Sequence, residues 1–142
     1  MADRIAQTVG KLVLEPLVEP YFHADSYGYR PGKSAHPALA VTRQRWWRYA
    51  GVVKFAIKGA FDNLSHTRSL KALRHHPDCK GILLYLERWL TAPVAQPEGR
   101  LEARTKGTAH GGGVSPVLLN LVLPYGFDRW MQHHYPQPPF ER

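Results

Sequence analysis

Residues 26–36, SYGYRPGKSAH, combine cations and aromatic rings in one short stretch. The guanidinium of Arg30 and the amine of Lys33 are donors suited to phosphate oxygens. Tyr27 and Tyr29 alternate with these cations, which is the pattern expected where bases stack beside a charged backbone. The glycines and the proline of the block favour a tight turn. The block therefore indicates nucleic-acid binding, with an ordinary surface turn carrying incidental charges as the alternative.

Two later stretches contain residues that could also take part in nucleic-acid binding. Residues 55–66, FAIKGAFDNLSH, follow an apolar run and place Lys58 next to a glycine. Residues 107–120, GTAHGGGVSPVLLN, contain three consecutive glycines, which allow the backbone to approach a ligand closely. Arg104 and Lys106 precede this third block and add two cations. A glycine run alone is weak evidence, and this one does not match a phosphate-loop pattern.

Other groupings of reactive residues are less informative. His75, His76 and Cys79 lie close together in the sequence, but no fourth ligand at a zinc-site spacing is evident, so we expect no metal. The sequence WWRY at residues 46–49 could stack on bases. Such a cluster more often has one side in the protein core, and we expect that arrangement here.

Composition and charge narrow the class of protein. The chain has 142 residues, with 19 Lys and Arg against 11 Asp and Glu, for a net charge of +8. This balance favours a polyanionic partner, and nucleic acid comes first. The single cysteine excludes an internal disulfide framework. No apolar run approaches the length of a membrane span. We therefore expect a cytoplasmic protein that does not interact with a membrane.

The elements that must position these blocks follow from hydrophobic periodicity. The segment 51–57 reads as a β-strand with alternate apolar residues on one side, and residues 94–105 read as a hairpin with its tip at 96–99. The predicted helices cover residues 2–18, 34–49, 65–74, 81–90 and 114–134, the last one bent near Pro124 and Gly126. These elements predict an α+β domain that is mostly helical and has a small antiparallel sheet.

Taken in order, the three blocks resemble conserved segments of group II intron-encoded reverse transcriptases, the maturase-type RNA-directed DNA polymerases. Residues 26–36 are similar to their second block, residues 55–66 to polymerase motif A, and residues 107–120 to motif B. The resemblance implies an incomplete fingers and palm part of a right-hand reverse transcriptase fold. Within this single unit, residues 1–50 would be fingers-like and residues 51–142 a partial palm.

The resemblance also assigns roles to individual positions. The family has its first catalytic aspartate where this chain has Ala56, and an alanine methyl cannot ligate the Mg²⁺ that the family uses. We therefore expect no catalytic residue, no metal and no cofactor. Phe61, His110 and Gly111 would be remnants of the nucleotide pocket. His110 stands where relatives carry a glutamine that helps to hold the incoming nucleotide.

The resemblance leads to one functional expectation with two alternatives. The chain would stop just before the family's Tyr-Ala-Asp-Asp hairpin, and we expect a truncated, catalytically inactive fragment that binds RNA or an RNA–DNA hybrid electrostatically. A second copy could associate through the exposed palm edge around residues 52–58. The alternatives are one half of a split reverse transcriptase completed by another chain, and a non-functional relic of a decayed intron gene. The cations expected to contact RNA are Arg30, Lys33, Lys58, Arg104 and Lys106.

Overall fold

Helices make up most of the regular structure in this protein. The structure, a computed structural model, describes residues 2–76, 80–95, 97–108 and 111–142. A 3₁₀ turn at Glu19–Tyr21 extends the first helix, and a π-helical segment at Pro124–Asp128 joins the last two. The helices of these described ranges are α1 (Ala2–Val18), α2 (Ala35–Trp46), α3 (His66–Arg74), α4 (Lys80–Thr91), α5 (Ser115–Leu123) and α6 (Arg129–His134).

The core lies where α1, α3, α4 and α5 pack together. Helix α1 contributes Leu14 and Val18 to this core, while Ile5, Val9, Leu12 and Val13 of the same helix are exposed. Burying the inward apolar side chains of the four helices against one another removes them from water. Helix α3 is capped by Ser65, whose hydroxyl accepts a hydrogen bond from the backbone N–H of Arg68 at 3.3 Å. Such a cap satisfies one of the free donors at a helix start. The most deeply buried leucines of the core are Leu14, Leu73, Leu86, Leu118 and Leu121.

The predicted interruption near Pro124 and Gly126 is confirmed. The helical path changes to a π-helical turn over Pro124–Asp128 before α6 continues it. A proline has no backbone N–H to donate to the preceding turn, so the regular hydrogen-bonding pattern cannot pass through it. The wider π turn is a common way to accommodate such a break inside a helix. It also turns Asp128 inward, where the side chain is buried.

The predicted hairpin is confirmed in a short form. Strands β1 (Val94–Ala95) and β2 (Leu101–Glu102) pair antiparallel, with Val94 opposite Glu102 and Ala95 opposite Leu101. Residue 96, at the expected tip, lies outside the described residues. Both strands are exposed. The mostly helical chain with a small antiparallel sheet therefore agrees with the prediction.

The strand predicted over residues 51–57 is wrong. This segment forms neither helix nor strand, and all of its residues are exposed. Alternation of Val53, Phe55 and Ile57 shows which side chains could share a face, but a strand also needs a neighbouring backbone. Among the described residues the sheet contains β1 and β2 alone. The association of two copies through residues 52–58 stays a prediction.

No helix in the described ranges is long and apolar enough to cross a lipid bilayer.

Candidate nucleic-acid interface

The turn formed by the first block is held from within by Arg30. Its Nε and one terminal nitrogen donate to Oε1 of Glu19 at 2.9 and 2.7 Å. The other terminal nitrogen donates to the carbonyl oxygens of His23 and Ser26 at 2.6 and 2.8 Å. The side chain is only 7% exposed. Arg30 therefore positions the turn, and a direct contact between Arg30 and RNA stays a prediction.

Lys33 lies at the end of the same turn and is partly exposed. Its Nζ donates to the carbonyl oxygen of Ala24 at 3.0 Å and lies 4.9 Å from the centre of the Tyr27 ring. That ring is buried, and burial together with the nearby carboxylate of Asp25 raises the pKa of the Tyr27 hydroxyl. Tyr27 is thus part of the support of the turn, and its ring faces are not open to a base.

Tyr29 is the residue of the first block that reaches the second block. It has a φ of 54°, in the left-handed region that non-glycine residues rarely occupy. Its exposed ring meets the ring of Phe61 edge-on, with 6.4 Å between centroids. The pairing of Tyr29 with Phe61 brings the predicted nucleotide-pocket residue next to the first turn.

Backbone hydrogen bonds join the second block to the start of the third. The N–H of Gly107 donates to the carbonyl of Leu64 at 2.7 Å, and the N–H of Thr108 donates to the carbonyl of Phe61 at 3.0 Å. The carbonyl of Gly107 lies 2.7 Å from Nε2 of the buried His66. We call residues 58–66 together with residues 106–108 the block junction.

Two of the predicted RNA-contacting cations lie at the block junction. Nζ of Lys106 donates to Oδ1 of Asn63 at 2.9 Å, while Nδ2 of Asn63 donates to the carbonyl of Gly59 at 3.1 Å. The same Nδ2 lies 3.4 Å from the carbonyl of Lys58. Asn63 therefore brings the backbone of Lys58 and the amine of Lys106 to one turn, and both lysines are exposed. Arg104, also predicted, is partly buried close by in sequence.

The glycine run of the third block packs against α1. Gly111 has a φ of +74°, and a side chain there would meet the guanidinium of Arg4 at 3.5 Å. A Cβ at Gly113 would lie 3.1 Å from Oγ1 of Thr8. The glycines thus permit a close approach to this helix. Ala109 and His110 lie outside the described residues, so the predicted role of His110 has no structural description.

A third set of contacts joins α5 and the end of the chain to the first turn. Nδ2 of Asn120 donates to the carbonyl of Gly28 at 2.8 Å. Arg142 donates through Nε and one terminal nitrogen to the two oxygens of Asp128, each at 2.8 Å, and through the other to Oδ1 of Asn120 at 3.0 Å. The N–H of Tyr27 donates to the carbonyl of Arg142. All three blocks therefore meet in one region.

Arg45 adds a neighbouring ion-pair network. Its guanidinium contacts Asp25 at 2.8 Å and Glu141 at 2.7 Å. Desolvation lowers the pKa of Arg45, but the hydrogen bonds to the two carboxylates outweigh it, so the net direction is upward. Sequence reasoning missed Asn63, His66, Arg45, Asp128 and Arg142. Arg45, Asp128 and Arg142 could not be found from local sequence patterns, because their ion-pair partners lie far away in the sequence.

The position predicted to correspond to a catalytic aspartate carries no metal-binding group. Ala56 lies in the irregular, exposed segment 51–57 and presents only a methyl. In the part of the chain that the structure describes, no group of three or more His, Cys, Asp or Glu side chains could hold a metal ion. The residues present therefore do not fit Mg²⁺ at this position, since that ion requires oxygen ligands.

The aromatic residues at the end of α2 are more exposed than predicted. Trp46 is 61% exposed, Trp47 84% and Tyr49 44%. The expectation that this cluster has one side in the core is therefore wrong. The physical reason is that α2 has no buried residue and so contributes nothing to the main apolar core.

Comparison with known proteins gives one consistent result. The model of the family described as reverse transcriptase (RNA-dependent DNA polymerase) matches residues 1–138. The chain is 30% identical to Protein YkfC of Escherichia coli over 95% of this chain and 36% of that protein. It is 30% identical to the group II intron-encoded protein LtrA of Lactococcus lactis over 85% of this chain and 20% of LtrA. It is also 30% identical to nuclear intron maturase 2, mitochondrial, of Arabidopsis thaliana, over 65% of this chain and 12% of that protein. The chain thus spans about a third or less of the length of these relatives.

Proposed function

Because this chain belongs to the reverse transcriptase (RNA-dependent DNA polymerase) family, we propose that it binds RNA or an RNA–DNA hybrid through cations at and near the block junction. The observation that carries the proposal is the turn around Asn63, which contacts the amine of Lys106 and the backbone carbonyl of Lys58. Both lysines are exposed, and the chain has a net charge of +8. Side-chain amines on such a turn can reach phosphate oxygens without burying an unpaired charge.

Four of the five predicted cations serve as direct contacts in this proposal. Lys33, Lys58, Arg104 and Lys106 supply the positive charge, while Arg30 holds the first turn in place through Glu19. Residues 1–50 form a fingers-like part and residues 51–142 a partial palm of the right-hand fold, as the resemblance implies. Phe61 and Gly111 are remnants of a nucleotide pocket in the same assignment.

Binding should weaken steeply with salt. Each phosphate neutralised on a single strand contributes a slope of about −0.7 to log affinity against log salt. The double substitution Lys58→Gln and Lys106→Gln should therefore flatten the slope by about 1.4, because two contacts are lost. Fluorescence anisotropy of a labelled RNA oligonucleotide, titrated between about 50 and about 200 mM salt, measures both slopes.

A matched control removes the same net charge elsewhere. Lys11→Gln with Lys71→Gln changes two lysines of α1 and α3, outside the three blocks. If Lys58 and Lys106 contact RNA directly, this control should keep the salt slope of the unmodified chain. Equal flattening in the two double variants would mean that only net charge attracts RNA. A slope near zero in the unmodified chain would overturn electrostatic binding altogether.

The chain by itself should not polymerise DNA. Two-metal nucleotidyl transfer needs carboxylate oxygens to hold Mg²⁺ at the reacting groups, and Ala56 offers a methyl at the position of the family's first aspartate. Primer extension on an RNA template with Mg²⁺ or Mn²⁺ measures the activity, with an active reverse transcriptase run in parallel. Template-dependent extension above a protein-free reaction would show that catalysis does not need a carboxylate at position 56.

A further inference from the structure

Three aromatic rings stand open to solvent where α2 ends. Trp47 is the most exposed at 84%, followed by Trp46 and Tyr49. Residues 46–49 form a turn at the backbone, in which the N–H of Tyr49 donates to the carbonyl of Trp46 at 3.2 Å. A contiguous exposed apolar patch is a feature of interaction surfaces, whereas single exposed apolar residues are common on any protein.

Three cations lie close to these rings in the sequence and have no ion-pair partner among the described residues. Arg43 precedes Trp46 and Trp47 by three and four residues, which places it on the same face of the helix. Arg48 lies between Trp47 and Tyr49 in the turn. Among the described residues, neither arginine makes an ion pair, and neither does Lys54. Arg45 differs from them because Asp25 and Glu141 neutralise its charge.

A groove continues this surface toward α6. Its volume is about 810 Å³, within the range of ligand-binding clefts. The aromatic residues Trp46, Tyr49, Trp130 and Tyr135 line it together with Lys54 and with the apolar side chains of residues 52, 53, 55 and 57. Flat rings and a positively charged amine therefore share one open concave surface.

We propose that this surface, formed by Arg43, Trp46, Trp47, Arg48, Tyr49 and Lys54, binds unpaired nucleotides of a single-stranded nucleic acid. The bases stack on the exposed rings, and the phosphates lie against the three unpaired cations. Charge favours nucleic acid over an apolar protein segment, because phosphates supply a counter-charge to these exposed cations and an apolar segment does not. A duplex fits less well, since its bases are already stacked on one another. None of these residues belongs to the block junction, so the site does not depend on the RNA contacts proposed there.

The test compares single-stranded and double-stranded probes on the full chain. Trp47→Ala should weaken binding of a uridine oligonucleotide about tenfold, while Trp47→Phe should retain most of the affinity because a ring remains. Binding of an RNA duplex of the same length should not change. Tyr85→Ala is the matched control, because Tyr85 is an exposed aromatic residue on α4. It should leave both affinities unchanged.

Several outcomes would overturn the site. An unchanged affinity of Trp47→Ala for the single strand would exclude stacking, and an equal loss on the duplex would exclude selectivity for unpaired bases. Light scattering gives a separate readout. If Trp47→Ala lowers the molar mass in solution and leaves oligonucleotide binding unchanged, the surface joins copies of the protein instead. The Lys58→Gln and Lys106→Gln variant on the same probes tests the block junction, so either proposal can fail alone.

Discussion

Gly107→Ala is expected to lower the free energy of unfolding by about 3 kcal/mol, because two penalties combine at this position. Gly107 has a φ of +80°, which an L side chain rarely adopts. A Cβ would also lie 2.7 Å from the carbonyl oxygen of Asp62 and 3.1 Å from its Cα. These are backbone atoms, so no side-chain rotation can relieve the contact. The hydrogen bonds of Gly107 to Leu64 and His66 prevent the chain from moving away.

Gly99→Ala provides a matched control for this prediction. Gly99 has a φ of +81°, nearly the same as that of Gly107, but a Cβ there would meet nothing within 4 Å. Its substitution should cost about 1 kcal/mol, from the backbone conformation alone. Urea denaturation followed by circular dichroism gives the two values. Equal losses of unfolding free energy would show that the backbone near Asp62 can move to make room for the added Cβ. Close packing would then not explain why position 107 is a glycine.

Arg142→Ala is expected to cost about 3 kcal/mol, because it leaves a buried carboxylate without its partner. The Asp128 side chain is 4% exposed and accepts two hydrogen bonds from Arg142. The substitution also removes the donor to Oδ1 of Asn120, the residue that holds the carbonyl of Gly28. Loss of Arg142 should therefore loosen the first turn as well as the π-helical segment.

Two further variants separate charge from geometry at this pair. Arg142→Lys keeps the positive charge but cannot form the paired hydrogen bonds of a guanidinium, so its loss of stability should be intermediate. Arg129→Ala removes an exposed cation adjacent to Asp128 in sequence and should change stability by no more than about 0.5 kcal/mol. The same denaturation experiment measures all three. An unchanged midpoint for Arg142→Ala would mean that the hydrogen bonds from Arg142 to Asp128 do not stabilise the fold.

The two substitutions probe the contacts that bring the three blocks together. Gly107 joins the second block to the third, and Arg142 joins α5 and the π-helical segment to the first. If the contacts of either residue are lost, the cations near that residue are no longer held in a fixed arrangement. RNA binding should then weaken along with stability, even though neither residue is proposed to contact RNA.

The sequence alone was enough to predict the helices, the hairpin and the family. Helical periodicity and the residues at helix starts act over a few neighbouring positions, so α1, α3 and α4 followed from local patterns. The bend at Pro124 followed from the chemistry of a single residue. The three ordered blocks indicated a reverse transcriptase, and the match of that family to residues 1–138 confirms it.

The tertiary structure decided which of the predicted residues face solvent. A basic residue looks alike in sequence whether it is open, like Lys58, or enclosed by Glu19 and two carbonyls, like Arg30. The apolar alternation of residues 51–57 indicated a strand, but the pairing that defines one depends on a distant backbone. Trp47 was expected near the core and lies at the surface. Burial and long-range pairing depend on which segments meet in space, and local sequence patterns do not contain that information.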